Sequence, residues 1–505
     1  MKDHDVIVVG AGMGGLSTAA FLSMAGMKVA MFEKHDKPGG YATSFKLHGV
    51  RFDAGIESLP ELAADDTLGS FLSMWGVDVP TIERRENVRV FTDAGDYRFR
   101  DASLLKDFHD AFPDRRREVD EFFAINRRMV DRMRTSGPPK PPYEMSFISK
   151  LAFGVRTMAQ NPDMVRLGLK NGYDVIRRTF GGGELGAAIL AKVYHDIVYL
   201  GYAYRWEQVR RQRLRYPKGG MQAVSDAVAG VTLSRGGRLF LKNGVRRILV
   251  ESGRVVGVED EMGTAHHADI VVCNAPLPHA LDSLLAGAGE LDPLRKAVRL
   301  RAIFPSVALV FLGLDASYDP GAEYVAVSSS FEACTRGSWT AETAPLILVR
   351  SSDYDGGAVR PAFIMACLGH EYADRWASGP NGERGRDYTA LKEKAARTFI
   401  DRFDRRLPKG FREAIRFSVA ATPLTLERYT GNAEGSFMGF HCRAGEYGRF
   451  LPQTTPIRGL YFAGQWVFPG FGVAGVAASG YYCANTVLER EGVDLKAVLA
   501  AGGGS

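Results

Sequence analysis

Three glycines near the N-terminus have the spacing of a phosphate-binding loop. Gly10, Gly12 and Gly15 form a GxGxxG pattern directly after a short apolar run, and Glu33 ends the next apolar run. In such a loop the first glycine permits a tight turn, the second lets the backbone approach a pyrophosphate, and the third lets the helix pack against the strand. The acidic residue can accept hydrogen bonds from ribose hydroxyls. The pattern therefore predicts a site for the ADP half of a dinucleotide.

This loop needs a strand before it and a helix after it. Residues 5–9 predict a buried strand, a helical pattern follows as far as Gly26, and residues 29–32 predict a second strand. The helix would direct its unpaired N–H groups at the phosphates. The uncharged stretch 6–27 could also be taken for a signal peptide or a membrane span, but its glycines fit the nucleotide turn better. We therefore expect a protein that is made and kept in the cytoplasm.

The composition narrows the class of protein. The chain has 505 residues, of which 46% are hydrophobic and 24% charged, as in ordinary globular proteins with room for two cores. The net charge of +6 is mild for this length and does not predict a nucleic-acid partner. The five cysteines are scattered without metal-ligand spacing. They predict reduced, buried thiols and no metal site.

Strand-like apolar runs bounded by glycine divide the chain into alternating blocks. The first insertion is mainly helical in pattern, and the second contains strand candidates at 306–314, 346–350 and 362–368 before a charged helix at 388–405. A nucleotide domain interrupted in this way is typical of flavoproteins rather than of dehydrogenases. The predicted nucleotide-binding blocks are 1–61, 215–275 and 435–499, the predicted substrate-binding and membrane-facing insertions are 62–214 and 276–434, and residues 500–505 predict a tail or linker.

Several motifs together resemble one family. They are the segments 10–33, 39–40, 52–55, 268–275 and 459–484. They resemble the FAD-dependent phytoene desaturase family, which includes carotenoid cis–trans isomerases and retinol saturases and is related to the amine oxidases. The resemblance implies an α/β fold class: a Rossmann-like, GR2-type FAD-binding domain in discontinuous segments with an inserted α+β substrate domain. Within this family, the segments Arg428 to Asn432 and Ala463 to Trp466 are more similar to the isomerase and saturase branch than to bacterial four-step desaturases.

The resemblance and the glycine patterns together predict the cofactor contacts. Thr43 or Ser44 could donate to phosphate or ribityl oxygens, although this segment alone would fit a surface turn. In the resembled family, a segment like 464–476 runs under the isoalloxazine, and Gln465 would make a neutral contact. Val245 is expected near the adenine, with a plain core valine as the alternative. The expected FAD-binding residues are Gly10, Ala11, Gly12, Gly14, Gly15, Glu33, Lys34, Gly39, Gly40, Thr43, Ser44, Val245, Gly464, Gln465, Gly472, Val473 and Ala474.

The signals for catalytic side chains are much weaker. Glu57, His195 and Tyr429 are candidates because of their positions beside predicted cofactor or apolar segments. A histidine among tyrosines, such as His195, is more often a satisfied core residue. The sequence shows neither a Ser/His/Asp order nor a metal cluster. Catalysis would then depend mainly on the flavin, with the protein supplying placement and a dry tunnel.

We therefore expect an FAD oxidoreductase that acts on C–C or C=C bonds of a hydrophobic polyene or isoprenoid substrate by hydride chemistry at flavin N5. Desaturation, saturation and isomerisation stay open, with oxygen or a quinone as electron acceptor. One alternative is an amine-oxidase-like enzyme for a small amine. Another is a non-catalytic lipid carrier of the Rab GDP-dissociation-inhibitor type, which shares this fold without the flavin.

The segment 147–180 combines bulky apolar residues with lysine and arginine and almost no acid. This pattern favours contact with an anionic membrane surface. The alternative is a substrate-domain helix with a solvated basic face. We expect a cytoplasmic protein with a peripheral contact on the inner face of the membrane.

Overall fold

The computed structural model describes residues 2–55, 58–135, 141–328, 330–335, 337–352, 356–380 and 382–502. Two large sheets organise this part of the chain, and each is buried between other layers. The predicted α/β fold is confirmed, whereas the residue limits of the two domains stay a prediction.

The first sheet is parallel and takes its strands from all three predicted nucleotide-binding blocks. Helices cover one face, and a small antiparallel sheet covers the other. Because both faces are buried, these strands are continuous apolar runs instead of alternating ones. The strand order is Leu460–Phe462, Ile270–Cys273, Val6–Val9, Val29–Phe32 and Arg238–Phe240, and the covering sheet contains Val245–Glu251, Arg254–Asp260 and Ala265–His267.

Two of the helices that cover one face of the parallel sheet pack closely against each other. Met13–Met24 crosses Val473–Arg490, and the Ser17 hydroxyl donates to the carbonyl of Ala477 over 2.7 Å. A side-chain carbon on Gly480 would lie 2.6 Å from the carbonyl oxygen of Gly14. Glycine at this crossing therefore permits backbone contact between helices from the two ends of the chain.

The second sheet joins the two insertions into one body. Its strands Val88–Phe91 and Asp96–Phe99 come from the first insertion, which the sequence had predicted to be mainly helical. Val88–Phe91 pairs in parallel with Tyr324–Val327 of the second insertion. The full order is Ile415–Ala421, Ala308–Asp315, Val359–Ala366, Leu346–Arg350, Tyr324–Val327, Val88–Phe91 and Asp96–Phe99.

The remaining elements surround these sheets. Two small antiparallel pairs are the hairpin Ser44–Leu47 with Val50–Asp53 and the long-range pair Thr81–Glu83 with Arg215–Pro217. The five cysteines are free thiols in buried positions. The longer α-helices are Met13–Met24, Thr67–Trp75, Leu104–Ala111, Arg116–Thr135, Phe147–Gln160, Gly172–Phe180, Gly183–Leu190, Tyr199–Arg210, Met221–Ser234, Asp292–Arg299, Arg386–Asp404, Pro423–Thr430, Val473–Arg490 and Leu495–Gly502.

Two sequence predictions need correction. The segment 147–180 is not one amphipathic unit, because Phe147–Gln160 has no buried residue whereas Ile176 and Phe180 are fully buried in the core. The predicted linker 500–505 begins inside a helix, Leu495–Gly502, which alanine and leucine favour and which the buried Leu495 anchors. In the described part of the chain, the helices are all too short or too polar to cross a bilayer.

Candidate cofactor and active site

The N-terminal loop ends in an open helix terminus. Gly10 has a φ of +90°, and Gly12 caps the helix Met13–Met24 without any side-chain hydrogen bond to the first turn. The free N–H groups at such a terminus, together with the helix dipole, favour an anion. The observed geometry therefore suits the pyrophosphate that the glycine spacing predicts.

Asn274 holds this loop against the C-terminal part of the site. Its amide nitrogen donates to the Gly10 carbonyl over 3.3 Å. A side-chain carbon on Gly14 or on Gly464 would lie 2.6 Å from its amide oxygen. Sequence reasoning missed this residue as an individual contact. The available signal was its position directly after the buried strand Ile270–Cys273, at the carboxyl edge of the parallel sheet.

Glu33 is buried beside the same loop. Its two carboxylate oxygens accept hydrogen bonds from the Ala11 N–H at 2.9 Å and from the His35 N–H at 3.0 Å. Only 7% of the residue is exposed. A carboxylate oxygen has a second lone pair, so Glu33 can hold the loop and still accept a ribose hydroxyl.

The second glycine segment lies on the first. The Gly39 N–H donates to the Ala11 carbonyl over 2.8 Å, and Gly40 approaches Gly12. The hydroxyl groups that follow are already engaged, since Thr43 donates to the Gly40 carbonyl at 3.0 Å and Ser44 to the Asp53 carboxylate at 2.5 Å. Both hydroxyls therefore donate within the protein, and a contact of Thr43 or Ser44 with phosphate or ribityl oxygens stays a prediction.

The segment that the sequence predicts at the adenine lies beside Glu33. The Asn243 N–H donates to the Glu33 carbonyl over 3.0 Å, and a side-chain carbon on Gly244 would lie 3.1 Å from Lys34 Cβ. The strand Val245–Glu251 therefore starts next to the residue that follows the acid. Val245 is partly buried at this position, and its contact with the adenine stays a prediction.

The C-terminal glycine segment supplies a second open helix terminus. Gly472 has a φ of +81°, has open space around it, and caps Val473–Arg490 without a side-chain hydrogen bond. Negative charge gathers on the pyrimidine side of a flavin when it is reduced, and a helix N-terminus stabilises such charge. These residues therefore fit a flavin, and Gly472, Val473 and Ala474 would hold that side of the ring.

Residues 432–442, which we call the bridging loop, connect the cofactor segments with the inserted domain. The Asn432 amide oxygen accepts hydrogen bonds from Gln465 Nε2 at 3.1 Å and from Trp466 Nε1 at 2.8 Å. Tyr41, which follows Gly40, donates its hydroxyl to the Gly435 carbonyl over 3.1 Å. Gln465 is thus tied to the protein by its amide. The bridging loop therefore holds the segment around Gly40 and the segment around Gln465 in position relative to the inserted domain.

An aromatic pocket borders the C-terminal glycine segment. Its cavity volume is about 40 Å³, room for a few water molecules, and it opens to solvent. A larger ligand would therefore extend beyond it, along its mostly apolar lining. The pocket lining includes Met438, Phe440, Phe450, Gln465 and Phe471.

His195 lies one aromatic ring away from this pocket. Its ring centre is 4.9 Å from that of Phe304, which is 5.3 Å from that of His441 on the pocket wall. Burial, together with His441, lowers the pKa of His195 to about 4, and burial also lowers the pKa of His441 to about 4. Both imidazoles are therefore neutral near pH 7 and add no charge to the aromatic surroundings.

A second catalytic candidate, Tyr429, lies away from the pocket. Tyr429 is 60% exposed, and its carbonyl contacts the imidazole of His35 on the cofactor side. Glu57 lies outside the residues that the structure describes. Of the two candidates that the structure describes, His195 is the one close to the aromatic pocket.

We expect Glu33→Gln to weaken the binding of FAD about 10- to 100-fold, since a charge-assisted hydrogen bond to ribose becomes a neutral one. Titration of the apoprotein with FAD, followed by flavin fluorescence, measures this change. Asp36→Asn is the matched control, because Asp36 is exposed three residues further along and loses the same charge. Equal affinities for the two variants would contradict the role of Glu33.

Comparisons with known proteins agree with this geometry. The chain is 23% identical over 530 residues to prolycopene isomerase 1 of an Oncidium hybrid cultivar, with 98% of this chain and 86% of that protein covered. It is 24% identical over 552 residues to the all-trans-retinol 13,14-reductase of Danio rerio, with 97% and 86% covered. Both relatives belong to the branches that the sequence motifs resemble, so that resemblance is confirmed.

Solved structures show the same fold. Cyclohexylamine oxidase from Brevibacterium oxydans superposes with a TM-score of 0.61 at 16% identity, over 97% of this chain and all of that one. Residues 13–488 match the family described as flavin containing amine oxidoreductase. The predicted FAD cofactor and oxidoreductase class are thereby confirmed. The chain belongs to the flavin containing amine oxidoreductase family.

Proposed function

We propose that this oxidoreductase acts on C–C or C=C bonds of a hydrophobic polyene or isoprenoid substrate, by desaturation, saturation or isomerisation. The observation that carries the proposal is the aromatic pocket directly beside the segment Gln465 to Gly472. Bound FAD would supply hydride transfer at N5. Oxygen or a quinone would accept the electrons of a desaturation, isomerisation would leave the redox state of the flavin unchanged, and saturation would need a reduced flavin. The names of the two curated relatives place polyenes among their substrates, which supports the same class here.

The protein's own part in this chemistry is placement and the exclusion of water. Phe440, Phe450 and Phe471 offer flat apolar surfaces that a conjugated chain can stack on. His195 and His441 stay neutral, so these two imidazoles add no charge next to the chain. An unsaturated hydrocarbon needs no strong acid or base to bind in such surroundings.

The alternative of a small amine fits the pocket less well. Arg301 and Arg449 line the pocket, and their positive charges would repel an ammonium group. The carrier alternative also fits less well. Glu33 is buried and hydrogen-bonded, and the two open helix termini at Gly12 and Gly472 are intact, as a bound flavin requires.

We expect the FAD-loaded protein to convert a polyene but not a diamine. All-trans-retinol and prolycopene, incubated without oxygen with oxidised and with chemically reduced enzyme, should give a changed chromatographic product in at least one state. Putrescine is the control substrate and should leave the flavin absorbance unchanged. Reduction of the flavin by putrescine, with every polyene recovered unaltered, would favour the amine alternative and contradict the proposal.

We also propose that the helix Phe147–Gln160 docks the protein on an anionic membrane. Phe147, Ile148, Leu151, Val155 and Met158 are each at least 60% exposed on this one helix. Such a concentration of apolar surface marks a contact site. The helix contains no acidic residue, and its Lys150 and Arg156 are exposed, so its charge complements anionic lipid.

The position of this helix links the membrane to the pocket. Four residues before it, the Tyr143 ring packs on Phe468 at 6.1 Å between centres. Phe468 in turn packs on Phe450 of the pocket wall at 5.3 Å. Packed aromatic side chains therefore connect the residues before this helix with the wall of the pocket.

We expect the double variant Phe147→Ser, Leu151→Ser to bind anionic liposomes less than the wild type at low and at high salt. Each apolar side chain lost from the lipid removes about 1.5–3 kcal/mol, and this part of the binding is insensitive to salt. Met262→Ser is the control, because Met262 is 76% exposed on a different part of the surface. Cosedimentation measures the bound fraction. A wild type that ignores liposomes, or equal loss in the control, would contradict membrane docking.

A further inference from the structure

Two arginine side chains at the aromatic pocket have no carboxylate partner within 4 Å among the described residues. Arg301 follows the helix Asp292–Arg299 and is half-buried, with its guanidinium 5.3 Å from the centre of the Phe440 ring. Arg449 is exposed on the opposite segment, and both residues line the pocket. An aromatic ring attracts a guanidinium but does not neutralise its charge.

The two charges act on each other. Burial lowers the pKa of Arg301, the Glu446 carboxylate raises it, and the positive charge of Arg449 lowers it to a smaller extent. Glu446 also lines the pocket, but its carboxylate is bonded to Arg443 at 2.7 Å. The pocket therefore keeps a net positive potential at one end, which costs free energy unless an anion binds there.

A third polar group in the pocket also lacks a partner. The Nδ1 atom of His441 is fully buried and makes no hydrogen bond to any described residue. Buried polar atoms are nearly always paired, so such an atom in a pocket wall indicates a missing ligand group or an ordered water. It lies on the same pocket as the two guanidiniums. The pocket thus combines several aromatic side chains with a polar, cationic region.

We propose that the pocket binds an amphiphilic substrate by its carboxylate group, with Arg301 and Arg449 holding the carboxylate while the hydrocarbon chain lies along the aromatic wall. The inference rests on the proposed function and narrows its substrate class to long-chain unsaturated carboxylic acids. A planar guanidinium matches a carboxylate in two parallel hydrogen bonds. An aromatic wall next to that anchor fixes the direction in which the chain enters.

The test uses cis-parinaric acid, a fluorescent conjugated fatty acid, and its methyl ester, each titrated into the FAD-loaded protein. The acid should bind at least about tenfold more tightly than the ester, because only the acid forms charge-assisted hydrogen bonds. Arg301→Gln and Arg449→Gln should each weaken binding of the acid and leave binding of the ester unchanged. Arg301→Lys should recover part of the affinity for the acid, since it restores the charge without the planar fork.

Arg397→Gln is the matched control, because Arg397 is 65% exposed on the helix Arg386–Asp404 and loses the same charge away from the pocket. It should bind both ligands like the wild type.

Equal affinity of the wild type for acid and ester, or no binding of either, would overturn the proposal. A parallel loss of ester binding in Arg301→Gln would overturn it as well, because it would indicate a structural defect. Stronger displacement by dodecyl phosphate than by dodecanoic acid would overturn the choice of a carboxylate. If the enzyme converts a neutral polyene, any of these results would contradict the carboxylate anchor alone and leave the proposed function in place.

Discussion

The structure depends on the close crossing of the helices Met13–Met24 and Val473–Arg490, which begin at the two ends of the cofactor site. Their approach requires glycine at position 480, because a side-chain carbon there would collide with the carbonyl oxygen of Gly14. Both helices start at the carboxyl edge of the same parallel sheet. The crossing therefore brings together two N-termini that have no side-chain cap. One terminus suits a pyrophosphate and the other suits the carbonyl side of a reduced flavin.

The bridging loop carries this arrangement into the inserted domain. Asn432 holds Gln465 and Trp466, and the carbonyl of Gly435 holds Tyr41, so the two glycine segments share one support. The same loop then contributes Met438, Phe440 and His441 to the aromatic pocket. The same few hydrogen bonds therefore support both the predicted cofactor segments and the wall of the aromatic pocket.

Local patterns in the sequence predicted the cofactor side of the molecule well, because the turn, the helix start and the acid at Glu33 lie within one supersecondary unit. The strand Leu346–Arg350 was predicted with its observed limits, since an apolar run bounded by polar residues is also a local signal. The bonds from Ser44 to Asp53 and from Asn432 to Trp466 could not be predicted, because they depend on how separate segments meet. For the same reason, apolar periodicity alone did not separate the exposed helix Phe147–Gln160 from the buried residues that follow it.

The most direct test of this account compares the flavin content of the wild type with that of Gly480→Ala and Gly230→Ala. Gly230 lies within the helix Met221–Ser234 and has open space around it, so alanine is tolerated there. Absorbance and chromatography of flavin released by denaturation should show FAD in the wild type and in Gly230→Ala, and much less in Gly480→Ala. A colourless wild type that stays free of flavin after incubation with FAD, or equal FAD content in the two variants, would contradict the account.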